Sequence, residues 1–439
     1  MTSRLKTSTG VSRRGFLAGA AALAAPYVVP ASALGANGRA PANDRIGVGA
    51  IGVGGRGSGH VGAFSSNSQT QVVAVCDPFE KKREAAKKRV EARYAAEIDA
   101  GTYKGCGAYA DFRDLLARDD VDAVVIASPE FWHALHTVWS VKTGRDVYCE
   151  KAMTLTHYEG TAVVQAVRRH GRIFQLGTQQ RSSSNFRFAC ELARNGYLGT
   201  LKRVQVGVPG GRGLANVPPS PVPPGLDYEM WLGPAPYSPY NNVKCSYNWY
   251  FMYDYCIGWI GSWGVHHIDI AQWGAPSLVD STLDIEGTAN IPADGIGTAS
   301  TAWDVNLTAP QGVVLNFTHN GKNPQGCRFI GDKGWVHVNR GGIKADPPSL
   351  LKLRLKPDDE HLYVSRGGHH GNFIECIRTR RDPVAPVEAG HRATVLTIIS
   401  DIATRVGRKL TWDWKTERFV DDDGANRFLR RPMRSPWTL

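Results

Sequence analysis

Residues Ile46 to His60 read IGVGAIGVGGRGSGH. An apolar run rich in β-branched residues ends there in Gly52-Val53-Gly54-Gly55-Arg56-Gly57, the spacing G-x-G-x-x-G. A strand that feeds such a turn and then a helix has a use for each glycine. Gly52 permits the tight turn, Gly54 lets backbone approach a pyrophosphate, and Gly57 lets the helix pack on the strand. Gly55 and Arg56 then lie at the start of that helix, whose N–H groups face phosphate. The strand QVVAVC (71–76) ends at Asp77, where a carboxylate bonds the adenosine ribose hydroxyls. Asp77 favours NAD, because its charge repels a 2′-phosphate; Lys81, Lys82 and Arg83 just beyond it leave NADP open.

Outward from this stretch, helical and apolar strand segments alternate: helix 111–119, strand 121–128, helix 133–144, strand 146–151, helix 157–170 and strand 172–178. Such alternation predicts an α/β domain over 45–178, a doubly wound parallel sheet with its ligand at the carboxyl ends of the strands. Beyond it, 201–208, 298–307, 312–320, 327–339 and 350–355 read as strands parted by Gly, Pro and Asp turns. A run of strands after a βα half predicts an α+β second domain over 179–439, with a C-terminal tail.

The length of 439 residues exceeds what one core usually fills, which agrees with two domains. Composition, with 42% hydrophobic and 21% charged residues, argues against a disordered or fibrous chain. The net charge of +12 forms no basic stripe with interleaved aromatics, so nucleic acid is not an expected partner. Eight dispersed cysteines show no zinc spacing and read as buried thiols. His369-His370 lacks a third ligand at useful spacing, and no metal is expected.

The N-terminus reads as an address. Ser12-Arg13-Arg14-Gly15-Phe16-Leu17 leads into an Ala-rich apolar run that closes at Ala31-Ser32-Ala33. Residues 1–33 resemble a twin-arginine export signal, with 34–44 as a linker. The apolar run of about 14 residues falls short of the ~20 that span a bilayer, so no permanent membrane anchor is expected. The export machinery is then a partner, and the periplasm or another exported location the destination.

With ASPEFWHALH (127–136), DVYCEKAMT (146–154), GTQQRS (177–182), LDYEMWLGPAPYSPYN (226–241) and GSWGVHHIDIAQW (261–273) in this order, the chain resembles the Gfo/Idh/MocA (glucose-fructose oxidoreductase/inositol dehydrogenase) family over nearly all of 45–439. The resemblance implies a Rossmann domain followed by a domain with a large, mostly antiparallel open sheet. It implies cofactor contacts from Ser128, Pro129, His133, Glu150 and Lys151, and substrate contacts from Gln180, Arg181, His267 and Asp269. The family's Glu-Lys-Pro stands here as Glu150-Lys151-Ala152, and its Asp-x-Gly-x-His as Ser262-Trp263-Gly264-Val265-His266. Lys151 would stabilise an alkoxide and His266 would be the general base, with Ser262 in place of a carboxylate. Among the aromatic residues of 231–273, Tyr255 and Trp259 are the expected carbohydrate contacts.

The leading expectation is therefore an NAD(P)-dependent oxidoreductase of a sugar, polyol or glycoside hydroxyl. An exported enzyme has no recycled dinucleotide pool, so its tightly bound cofactor must return to its starting state within each cycle. A glycosidase acting by transient oxidation and elimination is the alternative. A non-catalytic dinucleotide- or sugar-binding protein is the third reading. Open sheet faces invite self-association, and a homo-oligomer, dimer or tetramer, is expected.

Overall fold

The computed structural model describes residues 44–439; the expected export signal over 1–33 and nearly all of the expected linker lie outside them. Six parallel strands form the first sheet: β1 (Ile46–Ile51), β2 (Thr70–Cys76), β3 (Gly107–Tyr109), β4 (Ala123–Ile126), β5 (Asp146–Cys149) and β6 (Phe174–Leu176), in the order β3-β2-β1-β4-β5-β6. β1 and β4 are buried at every position, as expected of a parallel sheet covered on both faces. The helices α1 (Gly55–Ser66), α2 (Glu80–Arg93), α3 (Phe112–Leu116), α4 (His133–Lys142) and α5 (His157–Arg169) connect them. The strand order reverses between β1 and β4, and the crevice at their carboxyl ends is where such sheets bind ligands.

After α6 (Ser184–Arg194) come nine further strands: β7 (Leu201–Val208), β8 (Thr282–Asn290), β9 (Ala302–Thr308), β10 (Val314–His319), β11 (Gly326–Gly331), β12 (Trp335–Asn339), β13 (Gly342–Asp346), β14 (Leu410–Asp413) and β15 (Arg418–Phe419). Their order is β13-β12-β11-β7-β10-β9-β8-β14-β15, and only β7 and β10 run parallel. Period-two patterning sets one face inward: in β9, Trp303, Val305 and Leu307 are buried while the intervening residues are partly exposed. Two helices cover that face, α7 (Gly264–Gly274) on β7 and β11, and α8 (Val387–Val406) on β8 and β9. Most of the buried apolar side chains form one continuous core through both sheets, with Ala152, Val265 and Ala393 as a small separate cluster.

One expected strand is absent. Residues 350–355 alternate Leu with Lys and Arg, but Pro347 and Pro348 open a 3₁₀ turn over Pro348–Lys352, and Leu353 is exposed. The segment packs against the edge strand β13 without pairing to it, because the two prolines lack N–H donors for a ladder and fix a turn instead. The segment 327–339 is two strands, because Gly334, at φ 156, turns the chain between them. All eight cysteines are free thiols, seven of them buried.

Candidate functional site

A cleft of about 940 Å³ opens at the carboxyl ends of the first sheet and reaches the second domain. Its floor is the glycine turn. Gly52 has φ 79, and a Cβ there would lie 2.4 Å from the Ser128 nitrogen. A Cβ on Gly57 would lie 1.8 Å from the Gly52 carbonyl oxygen, so α1 can meet β1 this closely only with glycine. Gly54 and Gly55 face the cleft, and a Cβ on Gly55 would touch nothing within 4 Å. The first turn of α1 carries no acidic residue and no side-chain cap, which leaves its N–H groups for an anion.

Asp77, buried at the end of β2, accepts the Val53 N–H at 3.0 Å and the Phe79 N–H at 3.0 Å. Burial raises its pKa, against Lys82 and those two N–H groups. A glycine cradle and a carboxylate on one crevice, with room beyond them, fit a dinucleotide. Ser128 and Pro129 line the same wall, and His133 sets its ring nitrogens on the carbonyls of Ala152 at 2.7 Å and Ser128 at 2.9 Å.

Glu150 follows β5 and gathers three donors on one oxygen: Arg56 Nε at 3.1 Å, His60 Nε2 at 2.8 Å and Gln179 Nε2 at 2.8 Å. Burial alone would raise its pKa, yet His60, Arg56 and Lys151 hold it well below the usual carboxylate range. The next residue, Lys151, donates from Nζ to Ser262 Oγ at 2.8 Å and lies 5.5 Å from the Tyr250 ring centroid. His266, on α7, lines the cleft with its Nδ1 buried and unpartnered. Burial lowers its pKa well below the ordinary value near 6.5, and Lys151 and Arg340 add to the effect, so the imidazole is neutral at pH 7. Ser262 thus engages the lysine.

The expected substrate residues divide. Gln180 lines the cleft, and neither atom of its buried amide has a partner. Arg181 and Asp269 do not line it; they form a buried two-point ion pair at 2.7 and 2.8 Å that ties the Gln179–Ser182 turn to α7. His267, one residue along the helix from His266, points away and packs near Phe186 with ring centroids 6.1 Å apart. Tyr255 is only 2% exposed, wedged between Phe131 and Trp231 in the core. Trp259 faces a separate small cavity with Gly210, Gly211 and Arg212.

The aromatic wall of the cleft comes instead from the 3₁₀ turn Tyr247–Phe251, which presents Tyr247, Trp249 and Tyr250, and from Trp263. Trp249 and Tyr250 stack with centroids 3.7 Å apart. Sequence reading also missed His60, Gln179 and Arg340. His60 stands one turn beyond Gly57 on the helix face toward Glu150, which the periodicity of α1 could have shown. Arg340, in the turn after β12, lies 5.0 Å from the Trp263 ring centroid and belongs to no motif.

A doubly wound domain with a phosphate-ready glycine turn, opposed across a cleft by an open sheet, defines a dinucleotide-binding protein of the two-domain dehydrogenase class. Family models match both halves: the NAD-binding Rossmann fold of the Gfo/Idh/MocA oxidoreductase family over residues 46–178, and that family's C-terminal alpha/beta domain over 209–439. The chain belongs to the Gfo/Idh/MocA oxidoreductase family. A glycosyl hydrolase family 109 protein of Shewanella sp. (strain W3-18-1) is 33% identical over 130 residues, 30% of this chain and 28% of that protein. A 2,7-anhydro-N-acetylneuraminate hydratase of Mediterraneibacter gnavus is 27% identical over 33% of this chain and 36% of its own length. These alignments therefore span about a third of the relatives. Among solved structures, the WlbA dehydrogenase of Bordetella pertussis in complex with NADH and UDP-GlcNAcA shares the fold, with a TM-score of 0.59 and 19% identity over 83% of this chain and 98% of that one. The aldose-aldose oxidoreductase of Caulobacter crescentus does so as well, with a TM-score of 0.59 and 18% identity over 83% and 99% of the two chains.

Proposed function

We propose that the protein is an exported NAD-dependent oxidoreductase acting on a hydroxyl of a sugar, polyol or glycoside, with its dinucleotide held through the whole cycle. The observation that carries this reading is one cleft combining the phosphate cradle with a lysine ammonium and a neutral, unpartnered imidazole. His266, whose ring lines the cleft, takes the proton of the substrate hydroxyl. Lys151, steered by Ser262, holds the oxygen as negative charge builds on it. When bound, a nicotinamide dinucleotide would supply the hydride acceptor and donor that the chain's own side chains lack. Trp249 and Tyr250 offer ring faces to the C–H faces of a pyranose. Asp77 supports NAD over NADP. The outer face of the nine-stranded sheet, with its polar ladder of Asn316 to Asp304 and Asn306, supports pairing of copies.

A second reading, a glycosidase acting through a transient ketone, is favoured by the partial likeness to glycosyl hydrolase family 109. In that reading the ketone acidifies the neighbouring C–H, the aglycone leaves by elimination, and water adds before reduction restores the hydroxyl. One experiment separates the two. Purified protein is denatured to release and weigh its nucleotide, and untreated holoenzyme is given free sugars and aryl glycosides without added cofactor. Reduced nicotinamide reoxidised only by a second sugar supports the oxidoreductase; aglycone release without net reduction supports the glycosidase. Folded protein that neither contains nor binds NAD(H) sinks both.

A further inference from the structure

The strongest cluster of ligating side chains outside the cleft joins three elements remote in sequence. His157 is the first residue of α5, His391 lies in the first turns of α8, and Glu417 sits in the turn between β14 and β15. His157 Nε2 lies 2.8 Å and His391 Nε2 3.3 Å from the same oxygen, Glu417 Oε2. The donor atoms of all three lie within 4.8 Å of one another. Zinc–ligand bonds of about 2.0–2.1 Å at tetrahedral angles set neighbouring donors about 3.3 Å apart, which is the His391–Glu417 separation, while the hydrogen-bonded His157–Glu417 pair is closer at 2.8 Å.

The surroundings fix the donors. The Thr156–Glu159 capping box holds the start of α5. Trp412 packs edge-on against His157 at 5.5 Å. Gly160 admits the His391 ring, since a Cβ there would lie 2.3 Å from Nδ1. Glu417 adopts φ 50, a left-handed backbone that is uncommon for a glutamate and that aims its carboxylate back at the two rings. Two imidazoles and one carboxylate, with the glutamate side chain 31% exposed and a water able to reach it, form the N,N,O set that borderline divalent cations prefer.

We propose that His157, His391 and Glu417 bind one divalent transition-metal ion, of which zinc is the model, as a clasp tying the β14–β15 hairpin and α8 to the Rossmann domain. None of the three lines the cleft, so the ion is structural and independent of the dinucleotide. Spacing motifs could not reveal it, because 260 residues separate His157 from Glu417. The site exists only in the folded chain, and binding therefore stabilises the fold.

The test uses untagged full-length protein, stripped with chelator and titrated with Zn²⁺ and with Co²⁺ as a spectroscopic probe. One ion per chain is expected, with visible Co²⁺ ligand-field bands and a melting temperature raised by a few degrees at saturating Zn²⁺. Glu417→Gln and His157→Ala, both at the rim, should each weaken binding at least ~10-fold and cancel the thermal shift. His391→Ala should do the same if it folds, and the two rim variants decide the matter if it does not. Absence of one-to-one binding to the stripped protein, or binding that neither rim variant weakens, overturns the proposal.

Discussion

Lys151 and Ser262 are 111 positions apart and meet at 2.8 Å across the cleft. The contact steers an ammonium without neutralising it, which a carboxylate at 262 would do. Lys151→Ala should reduce turnover at least ~100-fold by removing oxyanion stabilisation, while nucleotide released on denaturation stays stoichiometric. Steady-state rates together with cofactor content check both halves. Ser262→Asp should pair with Lys151, cancel part of the positive field on His266 and raise the histidine's pKa. Because a base works when neutral, the acid limb of the kcat/KM profile lies below pH 6.5 in the native enzyme and should move to higher pH in this variant. An unmoved limb would mean that another group sets it. Lys151 and His266, singled out by the family resemblance, both line the cleft, as their motifs at a strand end and a helix start would have it. Tyr255 and Trp259 were misread, because composition cannot tell which rings of an aromatic run face a cavity.

At the scale of the element, the β1–α1 unit makes the sharpest prediction. Gly57→Ala puts a methyl 1.8 Å from a backbone oxygen that cannot yield without moving β1, whereas Gly55→Ala meets open space. The first should abolish nucleotide retention and lower the melting temperature by several degrees. The second should leave stability unchanged or slightly higher, since alanine suits a helix better than glycine. Differential scanning calorimetry of the two variants checks the contrast. This unit was readable because its strand, turn, helix and acid fall within one short window. The second sheet was only partly readable: β8 pairs with β14, more than a hundred residues later, and β7 lies between β10 and β11. Local patterning marked β7 and β10 but passed over β8 and β14, and it cannot order any of them; it also mistook 350–355 for a strand, although Pro347 and Pro348 open a 3₁₀ turn there.

Across the whole molecule, buried histidines accumulate. Burial lowers the pKa of His133, His136 and His266, takes His267 to about 3 and brings His369 and His370 to about 4, all from an ordinary value of 6.5. A histidine with a depressed folded pKa takes up its proton in the unfolded chain first. Its contribution to stability is complete above pH 6.5 and is lost as pH falls toward the folded value. Glu150 and Glu417, held low, act in the same direction nearer their own range. Asp77, Glu159 and Asp401, raised by burial, oppose it, but only close to the carboxylate range. Between pH 6.5 and about 4 the histidines therefore dominate, and the melting temperature should fall steeply over that window. His267 is the cleanest probe, being buried, pointed away from the cleft and unpartnered at Nδ1. His267→Leu should remove one proton from the linkage and flatten the slope of unfolding free energy by about 1.4 kcal/mol per pH unit. Denaturant melts at several pH values between 7 and 4.5 measure that slope. If the variant keeps the native slope, His267 already carries its proton in the folded state, and the protein's acid sensitivity has its origin in other groups.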